Sequence, residues 1–143
     1  MELHCIDPWS VYADKVASEV EATFDHNTRL ALSKSKKSVQ LVKHRGNSTA
    51  ILPQLLVDHA GSFDLVYVDG SHMQVDVLFD AVLGFGLLKV GAFMVFDDYL
   101  WSDGTPGHAP KPAVDAFINI YQSKLCNVRR VPLYQFWVQK IAN

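Results

Sequence analysis

Asp69 is followed three positions later by His72, and further along Asp97 and Asp98 stand side by side. Each group closes a short apolar run: Phe63-Asp64-Leu65-Val66-Tyr67-Val68 before Asp69-Gly70-Ser71-His72, and Ala92-Phe93-Met94-Val95-Phe96 before Asp97-Asp98-Tyr99-Leu100-Trp101. Carboxylates in this number suit a hard divalent cation such as Mg²⁺, which completes its shell with water and substrate oxygens. A cation held against a substrate hydroxyl lowers that hydroxyl's pKa. His72, whose ordinary pKa lies near neutrality, is placed to take the released proton or to orient the substrate. Plainer roles are open for the same residues. Aspartate commonly ends a strand by starting a turn, and His72 equally suits a cap for the helix that follows. A phosphoacceptor site of the receiver type also uses an acid pair and a single Asp, but there the pair comes first.

Positioning these groups requires buried strands. Apolar runs this short, ending abruptly in acid, suit a parallel α/β sheet, in which residues just past the strand ends line the ligand crevice. Strands are expected at residues 3–7, 39–43, 64–69 and 92–96, with a closing antiparallel pair at 128–131 and 134–141. Helices are expected at 11–32, carrying Val16, Val20 and Phe24, and after Ser48, which can act as N-cap. Two more are expected at 73–88, with Val75, Leu78, Phe79, Val82 and Phe85 inward, and at 111–124, with Val114, Phe117, Ile118 and Tyr121 inward. The Gly- and Pro-rich stretch 102–110 reads as a loop. Alternation of this kind argues for an α/β three-layer sandwich with a mostly parallel sheet and right-handed crossovers.

Bulk properties narrow the partners. The chain has 143 residues, suited to a single domain over 1–143, and its net charge of −2 offers no general attraction to nucleic acid or to an anionic membrane. No apolar stretch reaches the length of a membrane span and the first residues do not read as a signal peptide, so a soluble cytoplasmic protein is expected. Cys5 and Cys126 both sit in strand-like contexts and are expected to be buried and reduced. His4, His26, His44, His59 and His108 show no ligand-like spacing and read as surface or packing residues.

The acid-tipped strand at Asp7, the run Phe63 to His72, and Leu88-Lys89-Val90-Gly91 before the strand to Asp97-Asp98 together resemble class I S-adenosylmethionine-dependent methyltransferases. The stretch from Leu88 to Trp101 is most similar to the metal-dependent small-molecule O-methyltransferases, among them the catechol and caffeoyl-coenzyme A enzymes. The resemblance implies a Rossmann-like sheet with S-adenosylmethionine as cofactor and Mg²⁺ as the metal it allows. It places Asp7 on the cofactor ribose and Ser48 near the adenine edge. Asp69, Asp97 and Asp98 are the metal set, with Asp69 also beside the cofactor, and His72 and Asp69 the catalytic pair. Tyr99 and Trp101 enter the following loop as a lid over a small-molecule acceptor, or as its anchor to the core.

The chain departs from that family in one respect. None of its eight glycines forms the glycine-rich turn that follows the family's first strand. It therefore reads as beginning at the family's second strand, truncated at the N-terminus. A missing central strand leaves unpaired backbone groups on its neighbours. A homodimer that fills the gap is expected, with direct closure of the two strands as the alternative. Two rival functions stand beside methyl transfer. One is a domain that keeps the fold but has lost cofactor binding. The other is a dehydrogenase-like enzyme, disfavoured by the acid pair and the antiparallel end.

Overall fold

The structure, a computed structural model, describes residues 1–10 and 16–143. Its residues gather into two compact units, Met1–Ile51 and Leu52–Asn143.

The first unit is built on two parallel strands, β1 (Glu2–Asp7) and β2 (Gln40–Arg45), paired from Glu2↔Gln40 to Asp7↔Arg45. Between them in sequence lies helix α1 (Ala17–Lys34). The expected start of that helix at residue 11 lies outside the described residues. Trp9, only 2% exposed, anchors the unit. Its ring meets Phe24 of α1 at 5.1 Å, and the Lys43 ammonium of β2 lies 4.6 Å from its centroid. Lys43 in turn reaches Glu21 and Asp25 on α1, at 2.9 and 2.6 Å, tying helix to sheet. Helix α2 (Ser48–His59) starts in this unit. Its first turn bonds to the Asn47 carbonyl, which Ala50 and Ile51 both reach. Ser48 is therefore the first helical residue, and Asn47 occupies the cap position expected of Ser48.

The second unit carries β3 (Phe63–Val68), α3 (Gln74–Leu87), β4 (Leu88–Phe96), α4 (Pro110–Ile120), β5 (Leu125–Asn127) and β6 (Phe136–Lys140). Its sheet has the order β3-β4-β6-β5, with β3 parallel to β4 and β6 antiparallel to both β4 and β5. Only β6 runs against the others, so the antiparallel close is present. Its first strand, however, is Leu125–Asn127 and not 128–131. The register between β3 and β4 shifts after Phe63↔Leu88, where Gly91 takes a φ of 91° that only glycine adopts freely.

One core joins the helices to the sheet. Val77, Ala81 and Phe85 of α3 and Val114 and Phe117 of α4 pack on Met94, Phe96 and Val138. Of the expected inward residues Leu78 and Phe85 do face the core, whereas Val75 and Val82 are exposed, and Val77, Ala81 and Gly84 complete the buried face. Small residues face the sheet because they let the helix axis approach it. A Cβ on Gly84 would lie 2.9 Å from Met94 Cε and 3.0 Å from Val66 Cγ1. Gly84→Val is expected to lose about 1–3 kcal/mol by overpacking, read as a lower urea midpoint at unchanged m. Along β3, Val66 and Val68 face this core, while Leu65 and Tyr67 are half-exposed, so the strand alternates.

The expected burial of the cysteines is corrected: Cys126 is exposed on the three-residue edge strand β5, and Cys5 on β1 is only partly buried. Lys140, at 3% exposure, is buried. Its ammonium satisfies the carbonyls of Phe85 and Leu88 at the end of α3, at 3.1 and 2.8 Å, where the helix dipole is negative.

Candidate functional site

Parallel pairing brings the C-terminal ends of β3 and β4 to the same side of the sheet, and with them Asp69, His72, Asp97 and Asp98. Asp98 takes a φ of 50°, a left-handed turn that aspartate tolerates better than most residues, and it ends the strand sharply. Its Oδ2 lies 3.3 Å from His72 Nε2. The His72 ring packs on Trp101 at 4.2 Å, and Trp101 meets the His108 ring edge-on at 4.9 Å. A carboxylate close to an imidazole is a setting in which histidine serves as a general base.

His108, read from sequence as a bystander, belongs to this cluster. Its Nδ1 lies 2.7 Å from Asp103 Oδ2, and Asp103 Oδ1 accepts the Thr105 amide at 2.9 Å. The loop is fastened back to the start of α3 by a Met73↔His108 bridge and by the Gln74 amide on the Gly107 carbonyl. Its only sequence signal was the Gly/Pro composition, which marks a loop but not the place where it lands.

The carboxylates differ in their surroundings. Burial, then the charges of Asp97 and Asp98, push Asp69 above the ordinary carboxylate range, and His72 pulls the other way. The sign of the stability effect follows. Folding then favours protonated Asp69, a contribution present below the unfolded value of 3.8 and lost as pH rises through the raised folded value. Asp69→Asn is accordingly expected to melt at a higher temperature than the parent at pH 7, with the advantage shrinking as the pH falls toward 3.8. Thermal melts at several pH values check this.

Asp97 is already engaged. The Tyr67 hydroxyl donates to its Oδ2 at 2.5 Å, and the Asp98 amide donates to its Oδ1 at 3.0 Å. Those bonds, Tyr67 foremost, hold Asp97 below the ordinary range, and the same contact pushes Tyr67 up to about 12. Among the described residues, no three His, Cys, Asp or Glu side chains are gathered as a ready metal set. Asp69 therefore feels the charges of Asp97 and Asp98, while Asp97 is turned to Tyr67 and Asp98 to His72. The cleft between Val68, Asp69, His72, Phe96, Asp97 and Pro110 has a volume of about 10 Å³, room for one water. A larger molecule would have to lie across the strand ends.

In the first unit, Asp7 ends β1 exposed, with Oδ1 accepting the Trp9 amide and its carbonyl accepting the Gly46 amide at 3.1 Å. The turn role is therefore real, and it presents the carboxylate at the strand end. Ser48 stands just past the end of neighbouring β2, half-buried at the start of α2. Both residues lie on the C-terminal edge of the same parallel pair.

Among solved structures, a protein from Corynebacterium glutamicum is similar over 99% of this chain and 62% of its own, with 21% identity and a TM-score of 0.66. The MycE methyltransferase of the mycinamycin biosynthetic pathway, in complex with Mg and SAH, is similar over 98% of this chain and 45% of its own, with 16% identity and a TM-score of 0.58. A second complex of MycE, with Mg, SAH and mycinamycin VI, is 18% identical with a TM-score of 0.57 over 98% of this chain and 36% of its own. These likenesses show the fold, and the chain spans less than two thirds of the length of each. No curated protein matches the sequence. No helix among the described residues is long and apolar enough to cross a membrane. A methyltransferase domain family matches residues 1–99, a stretch that includes Asp7, Ser48, Asp69, His72, Asp97 and Asp98, and the chain belongs to that family.

Proposed function

We propose that this domain serves S-adenosylmethionine-dependent methyl transfer to a hydroxyl of a small molecule, assisted by Mg²⁺. The observation that carries the reading is the His72–Asp98 pair standing among Asp69 and Asp97 at the strand ends of a methyltransferase-family domain. When bound, S-adenosylmethionine supplies an electrophilic methyl group on a sulfonium, and Mg²⁺ lowers the pKa of the acceptor hydroxyl. The chain's own residues do the rest. Asp7 accepts the ribose hydroxyls, and Ser48 meets the adenine edge. Asp69, Asp97 and Asp98 hold the cation through their oxygens. His72, steadied by Asp98 and Trp101, takes the acceptor's proton, and positioning supplies most of the remaining advantage. That MycE is found with Mg and SAH on the same fold supports this cofactor pair. Strand β3 forms an edge of its sheet, which supports pairing with a second copy, checked by mass in solution scattering.

Isothermal titration with S-adenosylhomocysteine, with and without Mg²⁺, tests the reading. Micromolar binding is expected. Absence of binding by a folded sample would favour instead a domain that keeps the fold without its cofactor site.

A further inference from the structure

Three rings from two connections meet beside Asp98. His72, between β3 and α3, lies 4.2 Å from Trp101, Trp101 meets His108 edge-on at 4.9 Å, and His72 and His108 are 6.0 Å apart. Trp101 and His108 both belong to the connection between β4 and α4. The rings are not held equally. Asp98 reaches His72 only at 3.3 Å, longer than the roughly 2.7–2.9 Å of a well-formed hydrogen bond between charged groups. Packing on the indole therefore has a large part in fixing the His72 imidazole. His108 is held through side chain and backbone together. Its Nδ1 lies 2.7 Å from Asp103 Oδ2, its amide donates to the Thr105 carbonyl at 3.1 Å, and it pairs with Met73. The neighbouring Gly107 carbonyl accepts the Gln74 amide at 2.9 Å, a first-turn donor with no partner inside α3. His108 is thus fastened to the segment that directly follows His72. Nothing in the proposed reaction uses Asp103 or His108.

We propose that His108, clasped by Asp103, is a positioning residue for His72: its ring backs Trp101, and the indole in turn holds the His72 imidazole in one orientation. An edge-to-face contact between rings favours one mutual geometry, so fixing His108 restricts Trp101 and, through it, His72. A proton acceptor held in place loses less orientation on meeting its substrate, which is the advantage such a device gives. The inference rests on the role of His72 in the proposed function.

NMR of the histidine ring protons at one fixed pH reads His72 directly and needs no acceptor. The indole ring current displaces the His72 signals from those of an exposed histidine. His72→Ala assigns these signals, and Trp101→Ala gives the limit without displacement. His108→Ala is expected to lose most of the displacement, and Asp103→Ala a smaller part in the same direction. His108→Phe returns a ring edge to Trp101 and should keep most of the parent displacement, a rescue that general loosening of the loop would not give. Thermal melts confirm that each variant is folded, and where His108→Ala does not fold, Asp103→Ala and His108→Phe carry the test. His72 signals unchanged in His108→Ala, or in Asp103→Ala where that variant must stand in, overturn the proposal. So does a loss in His108→Phe as large as that in His108→Ala. Calorimetric titration with S-adenosylhomocysteine decides the methyltransferase reading independently, so the two can fail separately.

Discussion

His72→Ala is expected to slow methyl transfer about 10²- to 10⁴-fold, the range for loss of a positioned general base. The loss should fall on kcat, because His72 is proposed to take the acceptor's proton and not to contact the nucleoside. Affinity for S-adenosylhomocysteine should stay within about twofold, since His72 is not among the residues placed on the cofactor, Asp7, Ser48 and Asp69. Steady-state kinetics with a hydroxyl acceptor, paired with calorimetric titration, measures both. An unchanged kcat would remove His72 from the chemistry and leave the cation as the sole means of activating the hydroxyl. The geometry argues against that outcome. Asp98 holds one ring nitrogen at 3.3 Å and Trp101 packs on the ring at 4.2 Å, an investment of contacts that a solvent-exposed cap would not need.

Phe117→Ala carries the largest expected cost in stability, about 3–5 kcal/mol from lost transfer free energy and the cavity left behind. Phe117 is fully buried where α4 meets the sheet. Its ring contacts Phe85 at 6.2 Å, Phe96 at 5.8 Å and Tyr121 at 4.7 Å, so its removal loosens α3, β4 and the end of α4 together. Small domains have only about 5–15 kcal/mol in total, so a large share of the folded population's margin would go. Urea denaturation followed by circular dichroism reads the change as a shifted midpoint. A loss below about 1 kcal/mol would mean that the surrounding aromatic rings collapse into the space.

Legibility in sequence differed by element. The strand-helix alternation and the antiparallel close were readable because apolar periodicity and length separate buried strands from amphipathic helices. Asp69, Asp97 and Asp98 were readable because each follows its run directly, and a parallel ladder must then bring their ends together. The inward face of α3 is legible only in part, at Leu78 and Phe85 but not at Val75 and Val82. Pattern reading weights large apolar residues, whereas a helix pressed to a sheet puts Ala81 and Gly84 at the contact. Residues 128–131 looked like a strand by composition, but the pairing partner of β6 is Leu125–Asn127, and Arg130 turns away at a φ of 62°. Register is a long-range choice that local propensity does not encode.

The α/β class, the candidate carboxylates and the histidine between them depend on residue type and on spacing within single elements, so they can be read along the chain. The pairings that give those groups their character come from long-range folding. Tyr67 reaches Asp97 across two strands, Gln135 arrives from a third, and the loop carrying Asp103 and His108 folds back to the histidine cluster. Each of these contacts joins residues far apart in the chain. Their energies are those of hydrogen bonds and ring contacts a few ångströms long, and such distances are set only when the sheet has formed and the strands have taken their register.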